Sequence, residues 1–433
     1  HFLDPGLGKT AVLLADFYHN FVAGRVNALA VVCPNYLKIN WVEEANKFKF
    51  PFPMVVWPDR VVKINDPFAF IINYEALLAS GGTYLEDLLQ RTGIMLALDE
   101  STRVKNFNAA VAKKVMLLSK HSRVRRALTG TPMTENVVDL WSQLRFLNQL
   151  NGVNPYAFRG RYAVMGGWMG KQVKGIQKDR EEELAAILRS CSLRAKKSQW
   201  LDLPAKIYAP RYFEMVGAQK DAYEQMRTEF LVALDDGVVL ADQIIHMMMK
   251  LQQISRGFVL DAGRVRWLVP PSGNPALRLV KDILADARGK VITFSFHTAS
   301  VNLLHEEIGG LKMRGGMTAD EVSETRREFN DDPKIRYLHL QSTVGAMGHT
   351  FLGGPDDDRC STTIFYENTY SREKRTQAED RNHRQGQDRG VVYHDLIGSA
   401  QDRRVIDALT GKQRQQDLID AVVAALREGC KVR

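Results

Sequence analysis

Two blocks of alternating strand-like and helix-like segments constrain the fold of this chain more than any other feature of its sequence. In the first block the short apolar runs lie at residues 28–34, 68–74, 93–100 and 125–132, and the segments with helical spacing lie at 40–48 and 108–120. Unbroken apolar runs of this length are typical of buried parallel strands. The alternation therefore predicts a doubly wound α/β layer, in which ligands bind at the carboxyl ends of the strands.

The same alternation returns in the last third of the chain. Its strand-like runs lie at residues 290–296, 335–342, 362–367 and 390–397, and its helical patterns lie at 277–287, 298–308 and 372–385. The 433 residues exceed the size at which one core keeps growing, and residues 133–260 look mostly helical and charged. We therefore predict an α/β chain divided into a first lobe at 1–150, a helical insert and linker at 151–270, a second lobe at 271–410 and a C-terminal bracing helix at 411–433.

Composition narrows the class of protein. Residues 1–20 lack the layout of a secretory signal, and no run of uncharged apolar residues has the length of a membrane span. The four cysteines are scattered singly, which argues against a disulfide framework or a structural zinc site and favours a reducing compartment. A formal charge of +9 suits a polyanionic partner such as nucleic acid, and equally suits a solvated basic surface.

The chain opens on a glycine-rich turn, HFLDPGLGKT, that leads into a helical pattern. Such a turn places backbone N–H groups and the positive end of the helix dipole against a phosphate. The cofactor-binding residues predicted here are Gly6, Leu7, Gly8, Lys9 and Thr10, with Lys9 on the β- and γ-phosphates and the Thr10 hydroxyl on Mg²⁺. Leu3 stands where the strict phosphate-loop pattern has its first glycine, so an ordinary turn and helix start is the alternative.

An acidic pair follows the apolar run in MLALDEST. A carboxylate at the carboxyl end of a strand suits Mg²⁺, which predicts a metal ligand in Asp99. A second carboxylate beside it can activate the attacking water, and this is the role predicted for Glu100. Alone, such a pair is most often a solvated turn, but after a phosphate loop it points to nucleotide hydrolysis.

A third stretch, QAEDRNHRQGQ at residues 377–387, lies in the second block. Arg381 and Arg384 are three positions apart, and on a helix they would share one face. Two arginines presented to a γ-phosphate would neutralise charge that develops in the transition state. The alternative is a surface helix rich in charged residues.

Taken together, the motifs resemble those of a superfamily-two helicase motor of the Swi/Snf-related branch of DNA translocases. They occur in that family's order as DPGLGKT, VVCPNYLKINWVEEANKF, IINYEAL, LALDEST, ALTGTPMTENVVDLWSQLRFLN, SLRAKKSQWLDLPAK, VITFSF, LQSTVGAMGHTF and QAEDRNHRQGQ. The resemblance covers nearly the whole chain. It implies two tandem RecA-like lobes with ATP and Mg²⁺ in the cleft between them and duplex DNA crossing both.

The resemblance also implies roles for single residues. Catalysis would involve Lys9, Asp99, Glu100, Gln377, Arg381 and Arg384, the last three reaching across from the second lobe and Arg384 acting as the arginine finger. Thr129 and Thr131 would couple the state of the nucleotide to lobe movement. The residues expected against the nucleic-acid backbone are Pro34, Asn35, Ser295, Ser342 and Thr343. Contacts of this kind carry no base information, so binding should be independent of sequence.

Several positions depart from the family's pattern. Thr102 replaces the histidine of the DEAH-type motif, Thr350 replaces a common asparagine, and Tyr370 replaces a common tryptophan. The family's adenine-recognising segment precedes its phosphate loop, and here the loop begins within the first residues. We therefore expect the sequence to be truncated at its N-terminus.

The function predicted from these features is ATP-dependent translocation on duplex DNA, in replication, repair or recombination. A strand-separating helicase on RNA or forked DNA is one alternative, and a nucleotide-gated DNA clamp that no longer hydrolyses ATP is another. We expect a monomeric motor in the cytoplasm of a microbial or virus-infected cell, neither secreted nor in a membrane, with any recruiting protein unspecified.

Overall fold

The computed structural model describes residues 1–61, 63–130, 132–133, 136–150, 152–166, 172–235, 241–261, 263–345 and 349–410. The chain forms two compact units. The first is His1–Leu201 and the second begins at Asp202.

The first unit contains both strands and helices in alternation. Its strands are β1 (Phe2–Leu3), β2 (Ala28–Cys33), β3 (Met54–Val56), β4 (Ala69–Asn73), β5 (Ile94–Asp99), β6 (Val124–Leu128), β7 (Ala163–Gly166), β8 (Gln172–Ile176) and β9 (Arg194–Ala195). Its helices are α1 (Lys9–Val22), α2 (Lys38–Lys47), α3 (Ser80–Arg91), α4 (Ala110–Ser119), α5 (Asp139–Phe146), α6 (Pro155–Tyr162), α7 (Glu181–Cys191) and α8 (Lys197–Trp200).

A five-stranded parallel sheet in the order β3-β4-β2-β5-β6 forms the centre of this unit. Every residue of β2 is buried, and successive side chains of a strand point to opposite faces. Ala30 and Val32 accordingly pack into one core with α3 and α4, whereas Val31 and Cys33 pack into another with α1 and α2. The sheet is therefore covered by helices on both faces.

The short strand β1 brings the opening residues to the edge of this sheet. Phe2 forms an isolated parallel bridge with Thr129, directly after β6. On its other side β1 pairs in parallel with β9. The turn that follows β1 is thus held between the end of β6 and a segment from much later in the unit.

The second unit repeats the architecture. Its strands are β10 (Lys206–Tyr212), β11 (Phe258–Asp261), β12 (Arg264–Trp267), β13 (Val291–Ser295), β14 (Leu311–Met313), β15 (Tyr337–Gln341), β16 (Thr362–Phe365) and β17 (Val391–Ile397). Its helices are α9 (Gly217–Asp235), α10 (Ala241–Ser255), α11 (Pro275–Asp286), α12 (Thr298–Ile308), α13 (Ala319–Asp331), α14 (Ser342–Gly345), α15 (Arg372–Glu379) and α16 (Ala400–Thr410). Its main sheet is parallel throughout, in the order β10-β17-β16-β13-β15-β14.

The predicted fold class is confirmed, since each unit is a doubly wound parallel sheet of the RecA-like kind. The segment predicted as mostly helical also holds two antiparallel hairpins, β7–β8 and β11–β12, and the edge strand β10. Side chains of β10 are largely exposed, so this strand lacks the apolar run that marks its neighbours. The predicted domain limits stay predictions, and the bracing helix at 411–433 lies outside the described residues.

Within the described ranges, no helix combines the length and the apolar character that crossing a bilayer requires.

Candidate nucleotide-binding site

The glycine-rich turn ends where α1 begins. Gly6 and Gly8 have φ angles of 88° and 71°, a left-handed backbone that favours glycine at both positions. Gly8 is the N-cap residue of α1 and has no side chain that could cap this end of the helix. The first N–H groups of α1, with the positive end of its dipole, are therefore available to an anion.

Two segments hold this turn in place. The Asp4 carboxylate accepts a hydrogen bond from Lys197 N at 2.9 Å, and Asp4 N donates to Ala195 O at 3.1 Å. Gly130 lies against Pro5, and a Cβ at Gly130 would come within 2.9 Å of Pro5 Cδ. A larger residue at this position would clash with the Pro5 ring, so glycine permits the segment after β6 to lie against the phosphate loop.

The acidic pair lies at the carboxyl end of β5, beside the loop. Lys9 Nζ is 3.5 Å from Glu100 Oε1, and both side chains are largely but not fully buried. Glu100 has a φ of 50°, a left-handed backbone that is uncommon for a residue with a side chain, so the chain turns sharply after Asp99. The structure thus brings together three of the residues that the sequence predicts for one site.

Asp99 is held by two aromatic side chains that the sequence analysis did not identify. Trp41 Nε1 donates to Asp99 Oδ2 at 3.0 Å, and Tyr74 OH donates to the backbone oxygen of Asp99 at 2.9 Å. Glu100 N donates to the other carboxylate oxygen, Oδ1, at 3.0 Å. In sequence Trp41 occupies the apolar face of an amphipathic helix, which identifies a core residue but not its hydrogen-bond partner.

The electrostatics of Asp99 differ from those of a surface carboxylate. Its burial, followed by repulsion from Glu100, raises the pKa of the Asp99 carboxyl to about 6, while Lys9 and the bond from Trp41 act in the opposite direction. A cation arriving at this edge would relieve the repulsion between the two acids.

The residues present fit a magnesium ion that completes its shell with water and phosphate. Mg²⁺ typically takes one or two protein oxygens beside substrate phosphates. Thr10, in the first turn of α1, and Asp99 offer a hydroxyl and a carboxylate. Throughout the described part of the chain, no group of three His, Cys, Asp or Glu side chains could enclose a metal. This donor set suits Mg²⁺ carried by a nucleotide rather than a closed protein cage.

Two hydrogen bonds in series join the acidic motif to the segment that follows β6. Ser101 Oγ donates to Gln143 Oε1 at 2.8 Å, and Gln143 Nε2 donates to Pro132 O at 2.6 Å. Thr129, one of the two predicted coupling residues, is fully buried at the end of β6. The other, Thr131, lies outside the described residues. Gln143 was not singled out from the sequence, because a polar residue within a helical pattern gives no sign of its partners.

The structure corrects the predicted setting of the two arginines. Helix α15 ends at Glu379, so Arg381 and Arg384 lie in the turns that follow and share no helix face. The helix ends because residues after it bind elsewhere in the unit: Asn382 is fully buried and donates to Thr363 Oγ1 at 2.9 Å. The prediction of a helix over 372–385 is therefore wrong for its second half.

The three residues predicted from this motif have different environments. Arg381 is buried, and its guanidinium donates to Gln377 O at 2.7 Å and to His349 O at 3.0 Å. Gln377 Nε2 donates to Glu373 Oε1 at 3.3 Å. Arg384 is partly exposed. Their action on a nucleotide stays a prediction.

The predicted nucleic-acid contacts divide by exposure. Asn35 and Thr343 are exposed, whereas the side chains of Pro34, Ser295 and Ser342 are buried. Ser342 Oγ donates to Ser295 O at 3.1 Å, so these two residues meet at neighbouring strand ends of the second unit. Their contact with nucleic acid stays a prediction.

The profile of the SNF2-related domain matches residues 2–258, more than half of the chain. The chain belongs to the SNF2-related family. The match includes the phosphate loop, the acidic pair and the segment after β6.

Among SNF2-related proteins, the chain is 26% identical to the chromatin structure-remodeling complex subunit snf21 of Schizosaccharomyces pombe, over 91% of this chain and 35% of that protein. It is 24% identical to the putative ATP-dependent helicase/translocase YwqA of Bacillus subtilis, over 96% of this chain and 46% of that protein. It thus spans about a third to a half of the length of these relatives.

Two further matches are closer to this chain in length. Putative protein p41 of Acyrthosiphon pisum secondary endosymbiont phage 1 is 24% identical, over 96% of this chain and 92% of that protein. The solved Sulfolobus solfataricus SWI2/SNF2 ATPase core in complex with dsDNA is 24% identical, covering 98% of this chain and 88% of that one, with a TM-score of 0.41.

Proposed function

We propose that this chain is an ATP-dependent motor that moves on duplex DNA. The observation that carries the proposal is the cluster at the end of β5, where Lys9 Nζ lies 3.5 Å from Glu100 and Asp99 is buried beside them. Membership of the SNF2-related family supports ATP as the nucleotide. A relative named as a putative ATP-dependent helicase/translocase supports a motor function, and the formal charge of +9 suits a polyanionic track such as DNA.

The residues of the first unit would act on ATP in a definite order. The N–H groups at the start of α1 receive the phosphates, and Lys9 moves from Glu100 to the β- and γ-phosphates. This exchange frees the Glu100 carboxylate, whose Oε1 then accepts a proton from the attacking water. The water oxygen bonds to the γ-phosphorus while the bond from that phosphorus to the oxygen of the β-phosphate breaks, which releases ADP and phosphate. Before ATP binds, Lys9 therefore pairs with Glu100. When ATP binds, the same lysine contacts the phosphates and Glu100 becomes available as the base.

Thr10 and Asp99 would hold Mg²⁺, which would offset negative charge on the phosphates. These two residues would orient and hold the ion, because α1 fixes the position of the Thr10 hydroxyl and hydrogen bonds fix the Asp99 carboxylate.

The second unit would supply the remaining charges. We assign Arg384 as the arginine finger, because Arg381 already donates to two backbone carbonyls, and we give Gln377 and Arg381 supporting roles. Asn35 and Thr343 would contact DNA phosphates, with Pro34, Ser295 and Ser342 shaping the surface beneath them. Thr129 and Thr131 would transmit the state of the nucleotide. The motor would act as a monomer in the cytoplasm of a microbial or virus-infected cell, on DNA undergoing replication, repair or recombination.

The test is ATP turnover with duplex DNA, single-stranded DNA or RNA, together with displacement of a third strand from duplex DNA. We expect turnover to be stimulated most by duplex, with displacement of the third strand and no separation of the duplex. Lys9→Ala should lower turnover by roughly 10²-fold or more, because a preorganised charge on the phosphates is lost. Lys114→Ala is the matched control, since that lysine pairs with Glu86 at 2.8 Å and has no predicted part in binding ATP.

Each alternative function predicts a different result in this experiment. Preferential stimulation by RNA or forked DNA with strand separation would favour the helicase, and DNA binding that responds to ATP without turnover would favour the clamp. Either result would overturn the proposal.

A further inference from the structure

Trp41 links two parts of the first unit that the sequence treats as separate motifs. It lies in α2 with 1% of its surface exposed, and its indole N–H donates to Asp99 Oδ2 at 3.0 Å. With Glu100 N on the other oxygen, both carboxylate oxygens of Asp99 have donors. The orientation of the carboxylate is therefore fixed partly by a helix other than its own strand.

The same helix begins beside an exposed polar residue. Asn35 opens the 3₁₀ turn Asn35–Leu37, which is closed by a bond from Leu37 N to Pro34 O at 2.9 Å, and α2 follows at Lys38. Lys38 Nζ donates to Trp57 O at 3.1 Å and fixes this end of the helix. A displacement of the turn would be carried along α2 to the indole within about one helical turn of its start.

The packing of Trp41 would couple such a displacement to the nucleotide site. Its ring belongs to the same buried core as Leu13 and Leu14 of α1 and Cys33 of β2. Protein interiors are close-packed and transmit strain between neighbouring side chains. The indole therefore shares a core with the helix that would receive the phosphates and donates to the acid that would hold Mg²⁺.

We propose that Trp41 is a positioning residue that orients Asp99 for Mg²⁺ and transmits the engagement of DNA at Pro34–Asn35 to the nucleotide site. A tryptophan that only fills the core would need no charged acceptor, whereas this one donates to a carboxylate at the site. The inference rests on the proposed function, and its two halves can be separated by experiment.

The decisive variant replaces Trp41 by benzothienylalanine, which keeps the shape of the indole but has sulfur in place of the N–H. Trp41→Phe is a second variant that can be made by ordinary mutagenesis. The matched control is Phe17→Leu, because Phe17 is fully buried in the same core and its side chain has no donor. All are made in the full chain.

Three quantities are measured for each protein: the Mg²⁺ concentration that half-saturates binding of a fluorescent ATP analogue, the affinity for a short duplex, and the stimulation of turnover by that duplex. Loss of the N–H should raise the half-saturating Mg²⁺ concentration roughly tenfold, as removal of partners behind metal ligands does. The stimulation by duplex should fall by a similar factor while duplex affinity stays within about twofold of the unmodified protein. Phe17→Leu should change none of the three by more than about twofold.

The outcomes distinguish this inference from the proposed function. An unchanged Mg²⁺ requirement in the benzothienylalanine protein would overturn the positioning role. A raised requirement with unchanged stimulation would overturn the link to DNA. Absence of duplex stimulation in the unmodified protein would refute the translocase and the link to DNA, but the Mg²⁺ titration would still decide whether Trp41 orients Asp99.

Discussion

Each unit carries a charged cluster, and the two clusters are built in opposite ways. At the end of β5, Lys9 and Glu100 form a loose pair at 3.5 Å, and burial with repulsion raises the pKa of Asp99. In the second unit, buried Arg375 bonds Glu379 at 2.8 Å and Asp395 at 3.0 Å, and Lys206 bonds Glu379 at 2.9 Å. We call this second cluster the Arg375 network.

The direction of the carboxylate pKa separates the two clusters. Glu379 is buried as well, and burial acts to raise its pKa, but Lys206 and Arg375 outweigh that and hold the pKa below its usual range. At Asp99 the opposing effects of Lys9 and of the bond from Trp41 are smaller than those of burial and of repulsion from Glu100, so the pKa stays raised. A carboxylate whose charge is only partly compensated favours a binding site, whereas a fully bonded one favours a structural role.

The contrast between the two clusters is tested most directly by removing the carboxylate of Glu100, the predicted base. Glu100→Gln should lower ATP turnover roughly 10²–10⁴-fold, the usual contribution of a general base. Nucleotide affinity should be unchanged or tighter, because Lys9 loses the partner that competes with phosphate. Phosphate release and titration with a fluorescent nucleotide measure the two effects. Glu75→Gln is the control, since Glu75 is 61% exposed on the surface of the same unit.

If nucleotide affinity in Glu100→Gln fell as far as turnover, Glu100 would be a binding residue rather than a base, and the exchange proposed for Lys9 would be wrong.

The Arg375 network should instead respond in stability. Arg375→Met leaves the buried carboxylates of Asp395 and Glu379 without their arginine, which typically costs about 3–5 kcal/mol. Urea denaturation monitored by circular dichroism provides the measurement. Arg91→Met, which removes an exposed pair with Asp87, should cost less than about 1 kcal/mol. Equal losses in the two variants would show that the Arg375 network stabilises the fold no more than an exposed ion pair does.

A buried histidine should make the free energy of unfolding of the second unit depend on pH. His339 lies in β15 with Thr293 Oγ1 and Gly309 O each 2.9 Å from a ring nitrogen, and burial lowers its pKa from 6.5 to about 4. Because the folded pKa lies below the unfolded one, the stabilisation is complete above pH 6.5 and is lost as pH falls toward 4. Between pH 7 and pH 5 this group should cost roughly 2 kcal/mol of the free energy of unfolding.

The matching measurement is urea denaturation at pH 7 and pH 5, with His339→Gln beside the unmodified protein. The variant should lose stability at pH 7 but show a smaller further loss on acidification. An identical pH dependence in both proteins would rule out His339 as its source.

The sequence predicts the parts of this structure that depend on local pattern. The strands β2, β5 and β13 are mostly apolar and fully buried, and the turn at Gly6 and Gly8 needs a backbone that favours glycine, so the sequence alone predicts both. The end of α15 was missed because it depends on a bond from Asn382 to a distant strand. Edge strand β10 was missed because its partner, rather than its own composition, makes it a strand.

The candidate site divides in the same way. Lys9, Asp99 and Glu100 follow from motif and spacing, and the structure places them together. Trp41 and Tyr74 could not be assigned from sequence, because the acceptor of each donor becomes its neighbour only when α2, β4 and β5 pack. The charged residues of the site can thus be predicted from residue type, whereas the hydrogen bonds that hold them in place depend on tertiary structure.

The smallest expected effect concerns the chain of bonds behind the acidic pair. Gln143→Leu keeps the volume of the side chain but leaves Ser101 Oγ without its acceptor and Pro132 O without its donor. Net loss of such bonds typically costs about 1 kcal/mol, measured by urea denaturation, and Gln149→Leu on the exposed end of the same region should cost less. Turnover should fall by only about threefold, because the bonds support the acidic motif without touching the phosphates. A much larger fall in turnover at unchanged stability would mean that the site extends along this chain toward Pro132, and that the contrast between the two clusters is one of degree.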